Sequence, residues 1–379
     1  MDELAIVFGY RNREPIRVKR CLESLSKQTD SDFRVVFVDY GSEKIFADQI
    51  KEIVAQYGFV DYHYSFTQGW FWNRAHALNT GVRIAGDVTF VVTSDVDLIF
   101  PVDFVSLLKK NLKPDLELHV VANNLPEKFD RWDQLQDRKR AYGKKRGNTA
   151  LGLVQGIAKS VFEQVGGFDE YYCIWGAEDE DLNERLKRVG IETKWLDINT
   201  PPLYHQWHAT SGPRSFNLPS RWQEVLVNYK FQMREDVNRN QSGNWGKLIK
   251  DEDRLLLDLD SDQDAINLQG LPVHLALIKM MEKINNAKTG DILKFLIQGT
   301  EASMNEKSKL VNLLNWINKN LDRVDSPVLL VNDLTFYKRR NSILDYRDTI
   351  AYLVLENRNA WSDYSLDIDS DNLIFSVVK

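Results

Sequence analysis

The chain has 379 residues, 43% hydrophobic and 27% charged, with a formal net charge of −6; this is an ordinary globular composition, long enough for two domains, with no general electrostatic case for nucleic acid or anionic membrane. No apolar run is long enough to span a bilayer, and the acidic start Met1-Asp2-Glu3 is unlike a signal peptide. Cys21 and Cys173 are the two cysteines and lack metal-ligand spacing, so a reducing cytoplasm is expected, with Cys21 as core on an apolar helix face and no support for a disulfide.

Leu4-Ala5-Ile6-Val7-Phe8 reads as a strand, followed by Arg11-Asn12-Arg13 and a helix from Pro15 with Val18, Cys21, Leu22 and Leu25 on one face. A second strand, Phe33 to Val38, ends in Asp39; a helix over 43–57 and a third strand, Phe59 to Phe66, follow. Ala75, Leu78, Val82 and Ala85 mark the next helix, and Phe90-Val91-Val92-Thr93 the next strand. A helix from Pro101, a strand at Leu118-His119-Val120-Val121, a basic helix and mobile loop over 126–150, and a strand at Val154 to Ala158 complete the alternation. The basic stretch reads as a solvated face ahead of a phosphate-binding one. Strand–helix alternation predicts a parallel, doubly wound α/β sheet, with ligands at the carboxyl ends of the strands. Arg11, Asp39 and Asp95 all fall just past such ends. The boundaries expected are 1–235 for this domain, 236–263 for a polar linker, and 264–379 for an α+β accessory domain.

The chemistry concentrates in a few segments. Ser94-Asp95-Val96-Asp97-Leu98 ends a buried strand in two carboxylates that share one side of the chain. Hard oxygens there suit a divalent cation with open positions for phosphate oxygens, a plain turn being the alternative. Trp175-Gly176-Ala177-Glu178-Asp179-Glu180-Asp181 opens a helix whose apolar face is Leu182, Leu186 and Val189. Acids in a first turn suit the helix dipole, yet four in a row repel one another, and a carboxylate here can take a proton from a hydroxyl. Leu203-Tyr204-His205-Gln206-Trp207-His208 offers imidazoles as a further metal ligand, His205 ahead of His208. Trp70-Phe71-Trp72-Asn73-Arg74-Ala75 opens another helix, where Arg74 can meet a diphosphate in bidentate fashion; its aromatics are wall or core. The ten tryptophans, several beside these motifs, suit a site that stacks on sugars and bases.

Taken together these segments resemble the GT-A glycosyltransferases, in particular the β-1,4-galactosyltransferase type and related bacterial family 2 transferases. Tyr10-Arg11-Asn12-Arg13 is similar to the family's Phe-Arg-Asn-Arg element, Trp72-Asn73-Arg74-Ala75 to its Phe-Asn-Arg-Ala element, Ser94-Asp95-Val96-Asp97-Leu98 is identical to its metal motif, and Trp175 to Asp181 is close to Trp-Gly-Gly-Glu-Asp-Asp-Asp. The resemblance implies a Rossmann-like GT-A catalytic domain. Tyr10, Arg11, Arg13 and Asp39 would hold uridine, and Arg74 the diphosphate. Asp97 and His205 would bind Mn2+ (or Mg2+), with Asp95 supporting that metal or touching the nucleotide. Trp175, Glu178 and Glu180 would line the sugar pockets, Glu180 on the acceptor side, and Asp179 would be the catalytic base with Glu178 beside it. The reaction implied is inverting transfer of a hexose or N-acetylhexosamine from a UDP-sugar to a saccharide or glycolipid acceptor. Ala177, Gly9 and Glu180 stand where the family has glycine, proline and aspartate, which leaves donor and acceptor open. The family's anchor, stem and secretory cysteines are missing, so a cytoplasmic bacterial enzyme of surface-polysaccharide synthesis is expected. It would have no nucleic-acid partner, with peripheral membrane association and homo-oligomerisation left open.

Residues from Ala265 to Leu296 resemble the βαβα layout of SirA/TusA-type sulfur-carrier domains. Their active cysteine would fall at Val273 and the following prolines at His274 and Ala276, so sulfur transfer is not expected; an unrelated α+β domain is the alternative. Residues 305–320 read as a helix and Val328-Leu329-Leu330-Val331 as a strand-like run. Three other functions compete. A retaining N-acetylgalactosaminyltransferase shares a Trp-Gly-x-Glu motif. A silent sugar- or nucleotide-binding module has no need of a base. A nucleotidyltransferase calls for a Gly-rich loop that Gly9-Tyr10-Arg11-Asn12-Arg13 is not.

Overall fold

The computed structural model describes residues 4–137, 139–148, 151–174, 176–198, 201–208, 236–240, 243, 245–257, 264–298, 343–357, 360–369 and 372–379. The described chain forms two compact units, one from residues up to 68, 72–208 and 236–253, the other from 69–71 and 254 onward.

In the first unit β1 (Leu4–Tyr10), β2 (Arg34–Tyr40), β3 (Val60–Ser65) and β4 (Phe90–Ser94) pair in parallel, linked by α1 (Pro15–Ser26), α2 (Lys44–Val54) and α3 (Arg74–Ile84). Parallel strands are buried on both faces, which is why they read as near-continuous apolar runs. Leu4, Ile6, Phe8 and Tyr10 of β1 enter one core with Val18, Cys21, Leu22 and Leu25 of α1; Ala5 and Val7 enter the other with Ala77, Leu78 and Val82 of α3. Gly81 lets α3 settle on β1, because a Cβ there would collide with Val7. Then come β5 (Leu98–Ile99), α4 (Phe104–Asn111), β6 (Leu116–Val120), β7 (Ala122–Asn124), β8 (Lys144–Lys145), β9 (Val154–Ala158), α5 (Lys159–Gln164), α6 (Glu178–Arg188), β10 (Glu192–Leu196) and β11 (Leu203–His205).

The main sheet has seven strands in the order β10-β6-β9-β4-β1-β2-β3. It is not wholly parallel as expected, since β9 runs antiparallel to both β4 and β6. After β6 the chain enters a second sheet, ordered β5-β11-β7-β8. Among the described residues the return from there holds no α-helix, the usual crossover between parallel strands. The basic stretch 126–150 also differs from expectation: its described residues hold a 3-10 turn at Trp132–Gln134 and β8 paired to β7. Phe129, Trp132 and Tyr142 pack against Leu125 and Leu135 in a small apolar core, while Lys139, Arg140, Lys144 and Lys145 are exposed, as a solvated face requires. Of the stretch 236–263 read from composition as linker, residues 236–240, 243 and 245–253 pack within this unit; Arg239 is 2% exposed and pairs with Asp169 and Asp181, each at 3.1 Å. Cys21 and Cys173 are buried and form no disulfide with each other.

The second unit is α+β. It contains β12 (Ile266–Asn267), α7 (Val273–Asn286), β13 (Ile292–Gln298), α8 (Ile343–Asn357), β14 (Asp363–Ile368) and β15 (Asn372–Val378), in a sheet ordered β12-β13-β15-β14. β12 is parallel to β13, and the other pairs are antiparallel. The opening β–α–β has the chain order implied by the SirA/TusA resemblance; the helix expected at 305–320 and the run Val328–Val331 lie outside the described residues. Residues 69–71 join this unit, with Trp70 stacked on Tyr364 at 5.4 Å and its Nε1–H donating to Asp363 Oδ1 at 3.0 Å. No helix among the described residues is long and apolar enough to cross a membrane.

Candidate active site

The strand β4 is buried throughout and releases the chain at Ser94, so Asp95 and Asp97 emerge where the sheet stops covering them. They then take different partners. Asp95 Oδ1 accepts from Arg74 Nη2 at 3.0 Å and Nε at 3.3 Å. Arg74 is the first residue of α3, whose start is capped by Asn73 Oδ1 accepting from the His76 N–H at 2.8 Å. The same guanidinium reaches Glu178 Oε1 at 3.2 Å and donates to the Gly152 carbonyl at 2.6 Å. Arg74 thus joins the end of β4, the Leu151–Leu153 strap and the first turn of α6. Burial works against its charge, but Asp95, Glu178 and Asp179 outweigh that and hold its pKa raised. Burial, then the charge of Asp179, push the Glu178 carboxyl up to about 7 against the pull of Arg74; burial likewise raises Asp95.

Asp179 is half-buried and lies over Gly152, where an added Cβ would stand 2.7 Å from Asp179 Oδ2. A side chain at that point would displace the carboxylate from this position. Its Oδ1 accepts from the Glu180 N–H at 2.9 Å, and the Glu180 side chain is exposed. The approach to α6 is strained: Ile174, Gly176 and Ala177 have φ of 72°, 85° and 72°, and for the two non-glycines this left-handed backbone is unfavourable. The turn is pinned by the Ile174 N–H donating to the Trp72 carbonyl at 2.8 Å. Trp175 lies outside the described residues.

Asp97 meets two histidines. β11 pairs antiparallel with β5, placing His205 opposite Leu98, and the Gln206 N–H donates to the Asp97 carbonyl at 2.9 Å. His205 Nε2 is 3.6 Å from Asp97 Oδ1 and His208 Nε2 3.5 Å from Oδ2. One ligand atom from each residue fits within 4.8 Å of the others. These separations are too long for good hydrogen bonds, and among the described residues the buried Asp97 Oδ1 has no hydrogen-bond donor. Burial pushes His205 down to about 4 although Asp97 opposes it, which keeps the imidazole neutral and its lone pair available. One carboxylate with an unmet oxygen and two imidazoles are a donor set that fits a divalent transition-metal ion.

Residues 6–161 match the model of glycosyl transferase family 2, and residues 138–209 match a model described as the N-terminal domain of galactosyltransferase. The first unit resembles the GT-A glycosyltransferases, with family-model matches running from residue 6 to residue 209. Among curated relatives, the chain is 28% identical over 187 residues to the mouse N-acetyl-β-glucosaminyl-glycoprotein 4-β-N-acetylgalactosaminyltransferase 1, covering 48% of this chain and 17% of that protein. It is 36% identical over 100 residues to the N-acetylglucosaminyl-diphospho-decaprenol L-rhamnosyltransferase of Mycobacterium tuberculosis, covering 26% and 29%. The chain therefore spans under a third of the length of either relative. Among solved structures, a Pyrobaculum calidifontis mannosyltransferase in complex with GDP-Man and Mn2+ aligns with a TM-score of 0.41 at 16% identity, over 62% of this chain and 64% of that one. The catalytic domain of Drosophila β1,4-galactosyltransferase 7 with xylobiose aligns with the same TM-score and identity, over 60% and 80%.

The other residues expected at the site gather near the ends of β1 and β2. Tyr10 is 1% exposed and donates its hydroxyl to the Arg13 carbonyl at 2.7 Å. Asp39 is fully buried, with Oδ1 accepting from the Ser42 N–H at 2.9 Å and Oδ2 from the Tyr62 hydroxyl at 3.0 Å. Both shape the wall from inside. Arg11 is half-buried, donating to the Thr67 carbonyl at 3.3 Å, and Arg13 is exposed. The structure brings Arg74, Asp95, Glu178 and Asp179 together, and Asp97 with His205; it adds His208, which the sequence ranks second, and does not include Asp95 in that triad. Gly152 and Leu153 carry no sequence signal. Tyr10 and Asp39 do: they continue the Leu4-Ile6-Phe8 and Val35-Phe37 alternation, which aims them at the core.

Proposed function

We propose that the protein is a metal-dependent, inverting glycosyltransferase that moves a hexose or N-acetylhexosamine from a UDP-sugar to a saccharide or glycolipid acceptor. The observation that carries this reading is the meeting of Arg74, Asp95, Glu178 and Asp179 at the end of β4, the strand that also delivers Asp97. Asp97, His205 and His208 would hold a divalent cation, Mn2+ or Mg2+. When bound, such a cation supplies positive charge to the diphosphate of the leaving nucleotide. Arg11 and Arg13 lie where a nucleotide can be met, with Tyr10 and Asp39 behind them. Asp179, backed by Gly152 and open to solvent on one side, takes the proton of the acceptor hydroxyl. That oxygen attacks the anomeric carbon, the bond from carbon to the diphosphate oxygen breaks, UDP departs, and the configuration inverts. Glu178 is committed to Arg74 and holds that guanidinium rather than serving as base. The names of the relatives, one acting on a glycoprotein sugar and one on a lipid-linked sugar diphosphate, support a glycan or glycolipid acceptor. A role in bacterial surface-polysaccharide synthesis in the cytoplasm follows from the same reading. The test is a screen of UDP-sugars with Mn2+, with and without oligosaccharide acceptors, followed by NMR of the product anomer. UDP release that needs the metal is expected; no release from any donor overturns the proposal, and a retained anomer overturns the inverting mechanism.

A further inference from the structure

The first unit buries a group of polar residues that the chemistry above does not use. Glu117 and His119 project from the same face of β6, and both are 0% exposed. Across the sheet, Glu117 stands opposite Thr193 of β10, and His119 stands between Trp195 of β10 and Gln155 of β9. The Glu117 carboxylate accepts from Gln155 Nε2 at 2.5 Å, from Thr193 Oγ1 at 3.3 Å and from Asn183 Nδ2. His119 Nε2 lies 3.2 Å from Glu117 Oε1. The imidazole stacks on Trp195 with ring centres 4.9 Å apart, and Nδ1 is 3.1 Å from the Leu151 carbonyl. A buried carboxylate is costly even when well paired, and apolar side chains would hold a helix on a sheet at least as well. Packing alone gives no reason for this arrangement.

Its two ends supply one. The first end is the strap. Leu151 O faces His119, Gly152 O receives Arg74, and Leu153 O receives both the Asp95 N–H at 3.2 Å and Ser94 Oγ at 3.1 Å. Three successive carbonyls are thus committed to three different elements, and the middle residue backs the Asp179 carboxylate. The second end is α6, through Asn183, one helical turn beyond Asp179. Glu117 is therefore hydrogen-bonded to α6 through Asn183, while His119, packed 3.2 Å from it, reaches the strap at the Leu151 carbonyl, so the two side chains together touch both walls between which Asp179 sits.

We propose that Glu117 and His119 are positioning residues that set the Leu151–Leu153 strap against the first turn of α6 and so fix Asp179 relative to Arg74. The inference rests on the reading of Asp179 as base. Two substitutions at one position separate positioning from mere packing. His119→Leu fills much of the volume and loses the bond to Leu151. His119→Asn sets an amide N–H where Nδ1–H stands. For each variant, kcat, KM for the UDP-sugar, melting temperature and backbone hydrogen exchange are measured on the full chain. His119→Leu is expected to lower kcat about tenfold to a hundredfold, as misplacement of a reacting group does, with KM for the donor unchanged. Exchange should quicken at 151–153 and 178–181 but not in β1 or β2. His119→Asn should recover most of the loss. Equal kcat in the two variants, or exchange that rises uniformly, overturns the proposal. If His119→Leu does not fold, Glu117→Gln takes its place, and an unchanged local exchange pattern there overturns it equally. A wild-type protein that turns over no UDP-sugar defeats the functional reading instead, and the exchange data still decide whether this pair holds the strap.

Discussion

Glu178 makes the site sensitive to pH in a direction that can be worked out. The residue is 7% exposed, beside Asp179 and within 3.2 Å of Arg74. Burial and then Asp179 raise its pKa from 4.5 to about 7. The native pKa lies above the unfolded one, so between the two the native state keeps a proton that the unfolded chain has released. The stability linked to this group is complete below about pH 4.5 and is lost as pH rises through about 7. At about 1.4 kcal/mol per pH unit, that interval corresponds to roughly 3 kcal/mol. Glu178→Gln keeps the shape and an oxygen that can accept from Arg74, and it removes the ionisation. The stability of the variant minus that of the wild type should be near zero at pH 4.5 and reach roughly 3 kcal/mol in favour of the variant at pH 8. Thermal melts of both proteins across that range would read it as roughly 2–4 °C per kcal/mol for a unit of this size. Taking the difference removes every group the two proteins share. A gap that is flat with pH, or one that opens toward acid, refutes the reasoning.

Further outcomes are expected at the other groups. Asp97→Ala and His208→Ala should each abolish or sharply weaken Mn2+ binding by calorimetry with the fold intact, and unchanged binding in both would remove the triad as a metal site. Asp179→Asn should lower turnover by about two to four powers of ten, the range for general-base catalysis, with UDP affinity nearly unchanged. Ala177→Gly should stabilise by about 1 kcal/mol, since left-handed backbone disfavours a Cβ and glycine returns part of the gain as entropy; a lower melting temperature would contradict the strain.

The strands and the pair of carboxylates at the end of β4 were legible for a shared reason. A buried β-branched run that stops in Ser94-Asp95-Val96-Asp97 contradicts apolar patterning so abruptly that chemistry is the natural explanation. Strand direction was not legible, because Val154 to Ala158 has the same composition whichever way it runs; the route of the preceding thirty or so residues decides it. The bond from Arg74 to Glu178 crosses 104 positions of sequence, and no periodicity reports such a pairing. The second histidine was visible but ranked low, since only the turn after β11 brings His208 back to Asp97. In the second unit α8 was missed; its apolar residues are interspersed with buried Asp345, Arg347 and Asp348, which blurs the helical stripe.

The acidic run at the start of α6 also looks different once folded. Four adjacent carboxylates suggest mutual repulsion, but successive helical residues point about 100° apart. Glu178 turns to Arg74, Asp179 lies over Gly152, Glu180 faces solvent, and Asp181 turns inward. Asp181 is 2% exposed, with Oδ2 2.7 Å from Arg185 Nε and Oδ1 3.1 Å from Arg239 Nη2. Both guanidiniums are themselves 2% exposed or less. Asp181→Asn therefore strips the charge that balances two buried cations, and such a loss costs about 3–5 kcal/mol. Asp169, 3.1 Å from Arg239, compensates in part, so the lower end of that range is expected. The effect should fall on stability, with turnover per folded molecule close to wild type, the reverse of Asp179→Asn. Measuring melting temperature and turnover on both variants assigns each carboxylate to scaffold or chemistry. An Asp181→Asn protein that melts normally but has lost turnover would show that the proton acceptor sits two residues further along the helix than this geometry indicates.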